Sequence, residues 1–393
     1  YKNGIPVKFE KERVVKYVQI FDYDNVKNNE FVVSRQVNSQ SADKSIRADI
    51  LLYVNGIPLI IIECKNPASF SSSWYDAYKQ IKKYEKDIPE LFKYAQLGIA
   101  VEKTAYYFPI VPWQEDVKIY EWKEENKDSV DSLLEMLAPS RILDIIKNFL
   151  FYRIESGEAT KVVTRYMQYR AVNKIVDRVL NNIDGKEEKN KGLIWHWQGS
   201  GKTLTMIFAS YKLRNNEKLE SPTVFFVVDR DDLETQLNEE FSALGIEPYI
   251  VDSVEDLKSV IEHDDYRGRR DIIITLIHKF RPGELEGLVR ELDKKDVKGS
   301  IRTRKNVITF IDEGHRTQYG TLAAQMKNVL KGGFFFAFTG TPISKEGRDT
   351  YNEFSYPPIE TYFDKYFITD SIKDGFTVKI AYQPRLEKDV HLK

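Results

Sequence analysis

With 393 residues, 42% of them apolar and 30% charged, the chain is too long for one ordinary core and too apolar for a disordered one, so two or three globular domains are expected. A net charge of −1 provides no global basic field, and any contact with nucleic acid has to come from local patches. The single cysteine, Cys64, excludes an intramolecular disulfide and fits a reducing, cytoplasmic setting, while no apolar run reaches the length of a membrane-spanning helix.

From the N-terminus, apolar residues at 9, 14, 15, 17, 18, 20 and 21 predict an amphipathic helix over residues 9–21. Glu10 and Glu12 on it are candidates for an extra metal carboxylate, or form a solvated face. Strands are expected over 31–37, 50–54 and 59–64, the last two joined by Asn55-Gly56, a strong hairpin signal. A serine-rich loop, a helix over 75–84 and strands over 97–102 and 106–110 follow.

The hairpin carries chemistry. Asp49 opens one strand, and Glu63 and Lys65 close the next with one residue between them. Period-2 alternation puts Glu63 and Lys65 on one face and Cys64 in the opposite layer. Two carboxylates can hold Mg²⁺, and a lysine can orient water or stabilise charge during phosphodiester hydrolysis. A two-residue turn would pair residue 49 with 62 and put Asp49 on the wrong face. A three-residue loop over 55–57, or a bulge, pairs 49 with 63, so one of these is predicted. Gln80 and Tyr84, four apart on the next helix, share a face. Taken alone, Glu63 and Lys65 read as an ion pair at a strand end. The full set, Asp49, Glu63-x-Lys65 and Gln80-x-x-x-Tyr84, resembles the PD-(D/E)xK nucleases with an added Gln-x-x-x-Tyr motif, with Ala48 where proline is common. The resemblance implies that these five residues are catalytic and that Asp49 and Glu63 ligate the metal.

Residues 111–150 hold Pro112, Trp113, a charged run over 121–128 and an expected amphipathic helix over 131–149, with a domain boundary near 140–160. From Arg165 onward strands and helices alternate, which predicts a parallel sheet covered on both faces. Near-continuous apolar runs at 223–228, 271–276, 306–311 and 334–338 read as its buried strands. The organising stretch is GLIWHWQGSGKT, residues 192–203. A strand at 193–195 runs into the turn Gly199, Ser200 and Gly201, then Lys202 and Thr203 open a helix. Glycines let backbone N–H groups approach phosphate oxygens, the helix N-terminus adds positive potential, Lys202 reaches the outer phosphates and Thr203 can ligate Mg²⁺. His196 stands where the strict pattern has glycine. After the run at 306–311, Asp312 is placed to coordinate a metal and Glu313 to polarise the attacking water. Thr339 and Thr341 bring hydroxyls to the end of the following strand, and Gln168 is placed to read an adenine edge.

Together Gln168, residues 199–203, VVDRDDLETQ (227–236), Asp312-Glu313-Gly314-His315 and Thr339-Gly340-Thr341 resemble the motifs of superfamily 2 helicases and translocases. Preceded by the nuclease constellation, they look like the R subunit of a type I restriction enzyme, a likeness that covers nearly the whole chain. It implies an α/β fold: a PD-(D/E)xK endonuclease domain over 1–150 with its linker helix, then a first RecA-like lobe over 151–393, the second lobe being absent. It also implies ATP and Mg²⁺ as cofactors, with Gln168, Gly199, Ser200, Gly201, Lys202, Thr203, Asp312, His315, Thr339 and Thr341 at the nucleotide site, Thr203 and Asp312 on its metal. The implied partners are double-stranded DNA and methyltransferase and specificity subunits, without a membrane. A type III restriction subunit, a repair nuclease-helicase fusion and a nucleotide-responsive DNA clamp with an inactive nuclease are the alternatives. The nuclease lying ahead of the motor favours type I, and the intact Asp49, Glu63 and Lys65 argue against decay. Lys82, Lys83, Arg267, Arg269 and Arg270 are candidate phosphate contacts, or solvated charges.

Overall fold

The structure is a computed structural model that describes residues 1–2, 4–9, 14–41, 44–69, 72–155, 157–295, 297, 299–312, 325–345 and 348–379. The chain begins with an antiparallel hairpin of β1 (Ile5–Phe9) and β2 (Val14–Val18). The helix expected over 9–21 is therefore not formed. Val14, Val15, Tyr17 and Val18 are all exposed, and a run this rich in β-branched and aromatic side chains favours the extended pairing once no apolar face is buried.

The first large sheet has six strands in sequential order: β3 (Phe31–Ser41), β4 (Lys44–Val54), β5 (Ile57–Cys64), β6 (Leu97–Val101), β7 (Ala105–Pro109) and β8 (Tyr120–Glu121). Only the β5–β6 pair is parallel, and helix α1 (Trp74–Asp87) makes the crossover between them. Ser73 and Asp76 form a capping box that starts α1. Its Ala77, Tyr78 and Ile81 pack on Ala48, Leu51 and Ile61 of the sheet. A four-residue helix α2 (Pro89–Phe92) leads into β6. The opposite face of the sheet, with Ile60, Ile62, Ile99 and Tyr107, buries against α3 (Ser129–Met136) and α4 (Pro139–Asn148). The single helix expected over 131–149 is thus two. Pro139 sits at the first position of α4, and the residue before it, Ala138, is extended at ψ 137°, as proline demands.

A hairpin of β9 (Leu150–Glu155) and β10 (Glu158–Val163) then leads to α5 (Tyr166–Ile183) and the second sheet. That sheet is wholly parallel, in the order β13 (Tyr249–Val251), β14 (Ile272–Leu276), β12 (Thr223–Val228), β15 (Val307–Asp312), β16 (Phe334–Thr339), β11 (Lys191–His196), β19 (Asp364–Tyr366). The strands expected from apolar runs form its interior. The two edge strands, β13 and β19, are three residues each and too short to show a pattern. A two-residue hairpin, β17 (Ser344–Lys345) with β18 (Arg348–Asp349), lies outside the sheet. Helices α5, α6 (Lys202–Arg214) and α7 (Asp231–Ala243) cover one face, and α8 (Val254–Glu262) and α9 (Pro282–Lys294) the other.

The apolar layer under α3 and α4 runs without a break into the layer under α5 and α6. Phe149 meets Phe208 at 5.3 Å between ring centroids, and Trp122 meets Tyr169 at 5.4 Å. No helix among the described residues is long and apolar enough to cross a membrane.

Gly98 lies opposite Phe108 in the first sheet, and a Cβ there would stand 2.4 Å from the Phe108 ring. Replacing Gly98 by valine should therefore destabilise this sheet by roughly 1–3 kcal/mol, the usual cost of overpacking. Denaturant titration would register this as a lower midpoint, and an unchanged midpoint would contradict the packing described.

Candidate functional sites

The β4–β5 hairpin keeps its tight turn, with Asn55 at φ +50° and Gly56 at φ +78°, and Val54 paired with Ile57. The register then shifts between Leu52 and Tyr53, because Leu59 is an extra residue between the partners Pro58 and Ile60. Ile50 consequently pairs with Ile62, and one residue further on the Asp49 N–H meets the Glu63 side chain. A bulge, not a longer loop, supplies the register that the chemistry needs.

Glu63 is 1% exposed. Its Oε1 accepts the Asp49 N–H at 3.2 Å, and Asp49 Oδ2 accepts the Cys64 N–H at 2.9 Å. Burial pushes the Glu63 carboxyl up to about 8, helped by the neighbouring Asp49 charge and opposed by the Asp49 N–H and Lys65. Lys65 Nζ donates to Gln80 Oε1, Gln80 Nε2 donates to the Tyr84 hydroxyl, and Tyr84 donates to the Arg47 carbonyl at 3.1 Å. Gln80 and Tyr84 thus fix the lysine through a chain of hydrogen bonds. Cys64 is exposed instead of packed in the opposite layer, because the core on that side ends at Ile62. An open cleft lined by Arg35, Gln36, Asp49 and Lys65 gives access.

A buried carboxylate beside a second one is short of positive charge, which is the deficit a divalent cation fills. Among the described residues no group of three or more His, Cys, Asp and Glu side chains is placed to hold an ion. Two carboxylates with remaining positions left to water and phosphate oxygens suit Mg²⁺, which commonly keeps several such ligands.

In the second sheet, β11 ends at His196 and the chain turns through Gly199 (φ +76°) and Gly201 (φ +81°) into α6, which Lys202 opens. A Cβ on Gly201 would lie 2.5 Å from Gln168 Nε2, so only glycine fits there. Among the described residues the buried Ser200 hydroxyl finds no hydrogen-bond partner, an orphaned donor in a loop at a helix N-terminus. These features fit a phosphate group.

The register of the strands puts the other candidates beside this loop. Asp312 ends β15 level with Phe338, and Thr339 ends β16 level with Trp195 of β11. Trp195 Nε1 donates to the Gly340 carbonyl at 3.1 Å, and the Thr341 N–H donates to the Thr339 hydroxyl at 3.1 Å. Thr203 is in the first turn of α6. Gln168 is buried with its amide engaged at both ends, accepting the Arg165 N–H at 2.9 Å and donating to the Gly201 carbonyl at 3.1 Å. Glu313, Gly314 and His315 lie outside the described residues, as do Glu10 and Glu12.

Three features escaped the sequence reading. Gln36 donates to Asp49 Oδ1 at 2.9 Å. Arg165 reaches the carbonyls of Gly199 and Ser200 and lies 4.4 Å from the Phe376 ring centroid. His196 is fully buried, with Nε2 3.7 Å from Asp364, whose carboxylate receives Arg170 Nε at 2.9 Å. Burial lowers the His196 pKa, against the raising influence of the Asp364 carboxylate. His196 thus faces the edge strand β19, which only the folded sheet brings alongside. Lys82, a candidate phosphate contact, is instead buried, bonded to Glu85 and to the Val111 carbonyl, whereas Lys83 is exposed.

The family profile described as SWI2/SNF2 ATPase matches residues 167–393, and that of the type I restriction enzyme R protein N terminus matches residues 1–117. The MjaVIIIP protein of Methanocaldococcus jannaschii, which bears the name of a type I restriction enzyme endonuclease subunit, is 36% identical over 99% of the chain and 39% of its own length. The type I restriction enzyme HindI endonuclease subunit of Haemophilus influenzae is 32% identical over 99% of the chain and 39% of its own length. The chain thus spans about two fifths of the length of these relatives.

The raised Glu63 pKa makes a prediction about stability. The folded protein holds this proton more tightly than the unfolded chain, so the associated stability is complete below about pH 4.5 and is lost as pH rises toward about 8. Glu63→Gln, which stays neutral, should raise the unfolding free energy of the metal-free protein at pH 8.5 by roughly 2–5 kcal/mol and change it little at pH 5. Denaturant titrations at both pH values check this, and equal shifts at the two would exclude a buried, proton-holding Glu63.

Proposed function

The chain belongs to the SWI2/SNF2 ATPase family and carries the N-terminal region of type I restriction enzyme R proteins ahead of it, and from that premise we propose that it is a restriction and DNA-translocation subunit. Residues 1–150 serve as the endonuclease domain with its linker, and residues 151–393 as a RecA-like motor lobe. The reaction class is ATP-dependent endonucleolytic cleavage of double-stranded DNA, with ATP hydrolysis driving movement along the duplex. Methyltransferase and specificity subunits choose the site in the full complex, and the setting is the cytoplasm.

The observation that best supports this reading is the meeting of Asp49, buried Glu63 and a hydrogen-bonded Lys65 around the end of β5. Asp49 and Glu63 would hold Mg²⁺, which supplies Lewis-acid stabilisation of charge on the scissile phosphate. Lys65, held by Gln80 and Tyr84, orients the attacking water and donates to a phosphate oxygen as negative charge develops there. A decayed nuclease would have no need to keep this lysine aimed.

At the motor site, Lys202 and the backbone N–H groups of residues 199–203 would hold the phosphates of ATP, with Thr203 and Asp312 on its Mg²⁺. Gln168 contacts the adenine edge on exchanging its present partners, and Glu313 polarises the attacking water. His315, Thr339 and Thr341 answer to the outer phosphate. The joint between Trp195 and the Gly340 carbonyl would pass strain between the two phosphate loops.

Two sets of substitutions in the whole chain separate the activities. Asp49→Ala, Glu63→Ala and Lys65→Ala should each lower Mg²⁺-dependent cleavage of duplex DNA at least about 100-fold while ATP binding persists. If all three left cleavage unchanged, the nuclease reading would fall. Lys202→Ala should weaken ATP binding about 10- to 100-fold, the worth of a charged hydrogen bond, and leave Mg²⁺-dependent nicking in place. Unaltered ATP affinity, measured by calorimetry, would remove the lysine from the phosphate site.

A further inference from the structure

We propose that Gln36 is a positioning residue for the nuclease metal site, holding the plane of the Asp49 carboxylate through its side-chain amide. The inference deepens the nuclease reading and rests on it.

β4 carries an irregularity beside Asp49. Strict alternation would put Ile46, Ala48, Ile50 and Leu52 on one face. Instead Ile46 and Ala48 pack in the α1 cluster together with Leu51 and Tyr53, while Ile50 and Leu52 pack on the other side. The alternation therefore changes phase at residues 49 and 50. Directly across, Arg35 pairs with Ile50 and Val37 with Ala48, and Gln36 stands between them without a ladder partner. Gln36 has φ +54°, a left-handed backbone that a non-glycine residue rarely adopts within a strand.

This kink explains the local geometry of Asp49. Its N–H is turned off the ladder toward Glu63 Oε1, and its carboxylate is turned toward the end of β5. Of the two carboxylate oxygens, Oδ2 receives the Cys64 N–H and Oδ1 receives Gln36 Nε2, both at 2.9 Å. Each oxygen keeps a second lone pair. Two donors on separate oxygens fix the carboxylate plane and still leave one lone pair on each for a cation. The Cys64 N–H belongs to the strand and cannot be removed by substitution, so Gln36 is the adjustable half of this clamp. Backbone strain that places a side chain against a candidate metal ligand is expected where function maintains it. Partners that orient metal ligands generally govern affinity as strongly as this.

Two variants separate the amide from the backbone. Gln36→Gly accepts φ +54° without strain and removes the side chain. Gln36→Met keeps the length of the stem and removes the donor. In nucleotide-free protein, the Mn²⁺-binding component that Asp49→Ala abolishes should weaken about 10- to 100-fold in both variants by calorimetry. The Mg²⁺ concentration that half-saturates cleavage should rise in proportion, the rate at saturating Mg²⁺ should stay near that of the unsubstituted protein, and the thermal midpoint should hold. Unchanged Mn²⁺ affinity in both variants, with Asp49→Ala still abolishing that component, would overturn the role of Gln36 alone. So would a lost rate at saturating Mg²⁺ with metal affinity intact, since Gln36 would then act elsewhere. If Asp49→Ala itself retained metal binding and cleavage, the nuclease reading would fail and take this inference with it.

Discussion

Leu59 is one residue more than the β4–β5 ladder can pair, and the shift it forces sets the geometry of the first site. Without it, the tight Asn55-Gly56 turn would carry residue 49 to residue 62, and the two acidic groups would face opposite layers. With it, Asp49 meets Glu63 on the side where α1 lies, and Gln80 of that helix accepts from Lys65 while Tyr84 holds Gln80. The bulge and the kink at Gln36 flank the same carboxylate from two strands. Both irregularities interrupt the ladder next to Asp49, and a bulge locally disrupts pairing and turns side chains aside.

The second site depends on a different constraint, the common carboxyl edge of a parallel sheet. Adjacent strands β15, β16 and β11 end level with one another, so Asp312, Thr339 and the loop after His196 arrive together with no need for long connections. The first turns of α5 then brace that loop. Arg165 and Gln168 bind its carbonyls, and Arg170 secures Asp364 beside His196. His196 in place of the usual glycine makes sense in this setting. It ends a buried strand with no solvent around it, next to an edge strand whose carboxylate faces its ring.

Local chemistry made much of this legible. The buried strands of the second sheet are unbroken apolar runs, and the loop after His196 is marked by glycines that positive φ requires. The need for a longer loop or a bulge followed from parity alone, since only one register puts two carboxylates together, and the structure uses the bulge. What the sequence hid were contacts across distant segments. Gln36 reaches Asp49 from a neighbouring strand, and Arg165 meets the loop from more than thirty residues away. The N-terminal stretch misled for another reason. Its apolar residues fall on a helical stripe, but no core is there to receive one, and the chain pairs as an exposed hairpin. Pro139 was a visible break that helical periodicity on either side disguised.

The join between the two sheets bears on how the two candidate sites can be linked. The layer beneath α3 and α4 continues into that beneath α5 and α6, with Phe149 on Phe208 and Trp122 on Tyr169 at its centre. Polar ties cross the same border: the Tyr107 hydroxyl donates to the Thr164 carbonyl at 2.7 Å, and Lys212 meets Asp144 at 2.7 Å. Relative motion is the default for domains that meet through small polar surfaces, but a shared apolar core resists it. Sliding these sheets apart would expose tightly packed aromatic rings, and close-packed interiors transmit displacement instead of absorbing it. The loop after His196 runs into α6, and α5 and α6 pack in the same apolar layer as the helices behind the first sheet, so the two candidate sites stand on one continuous core.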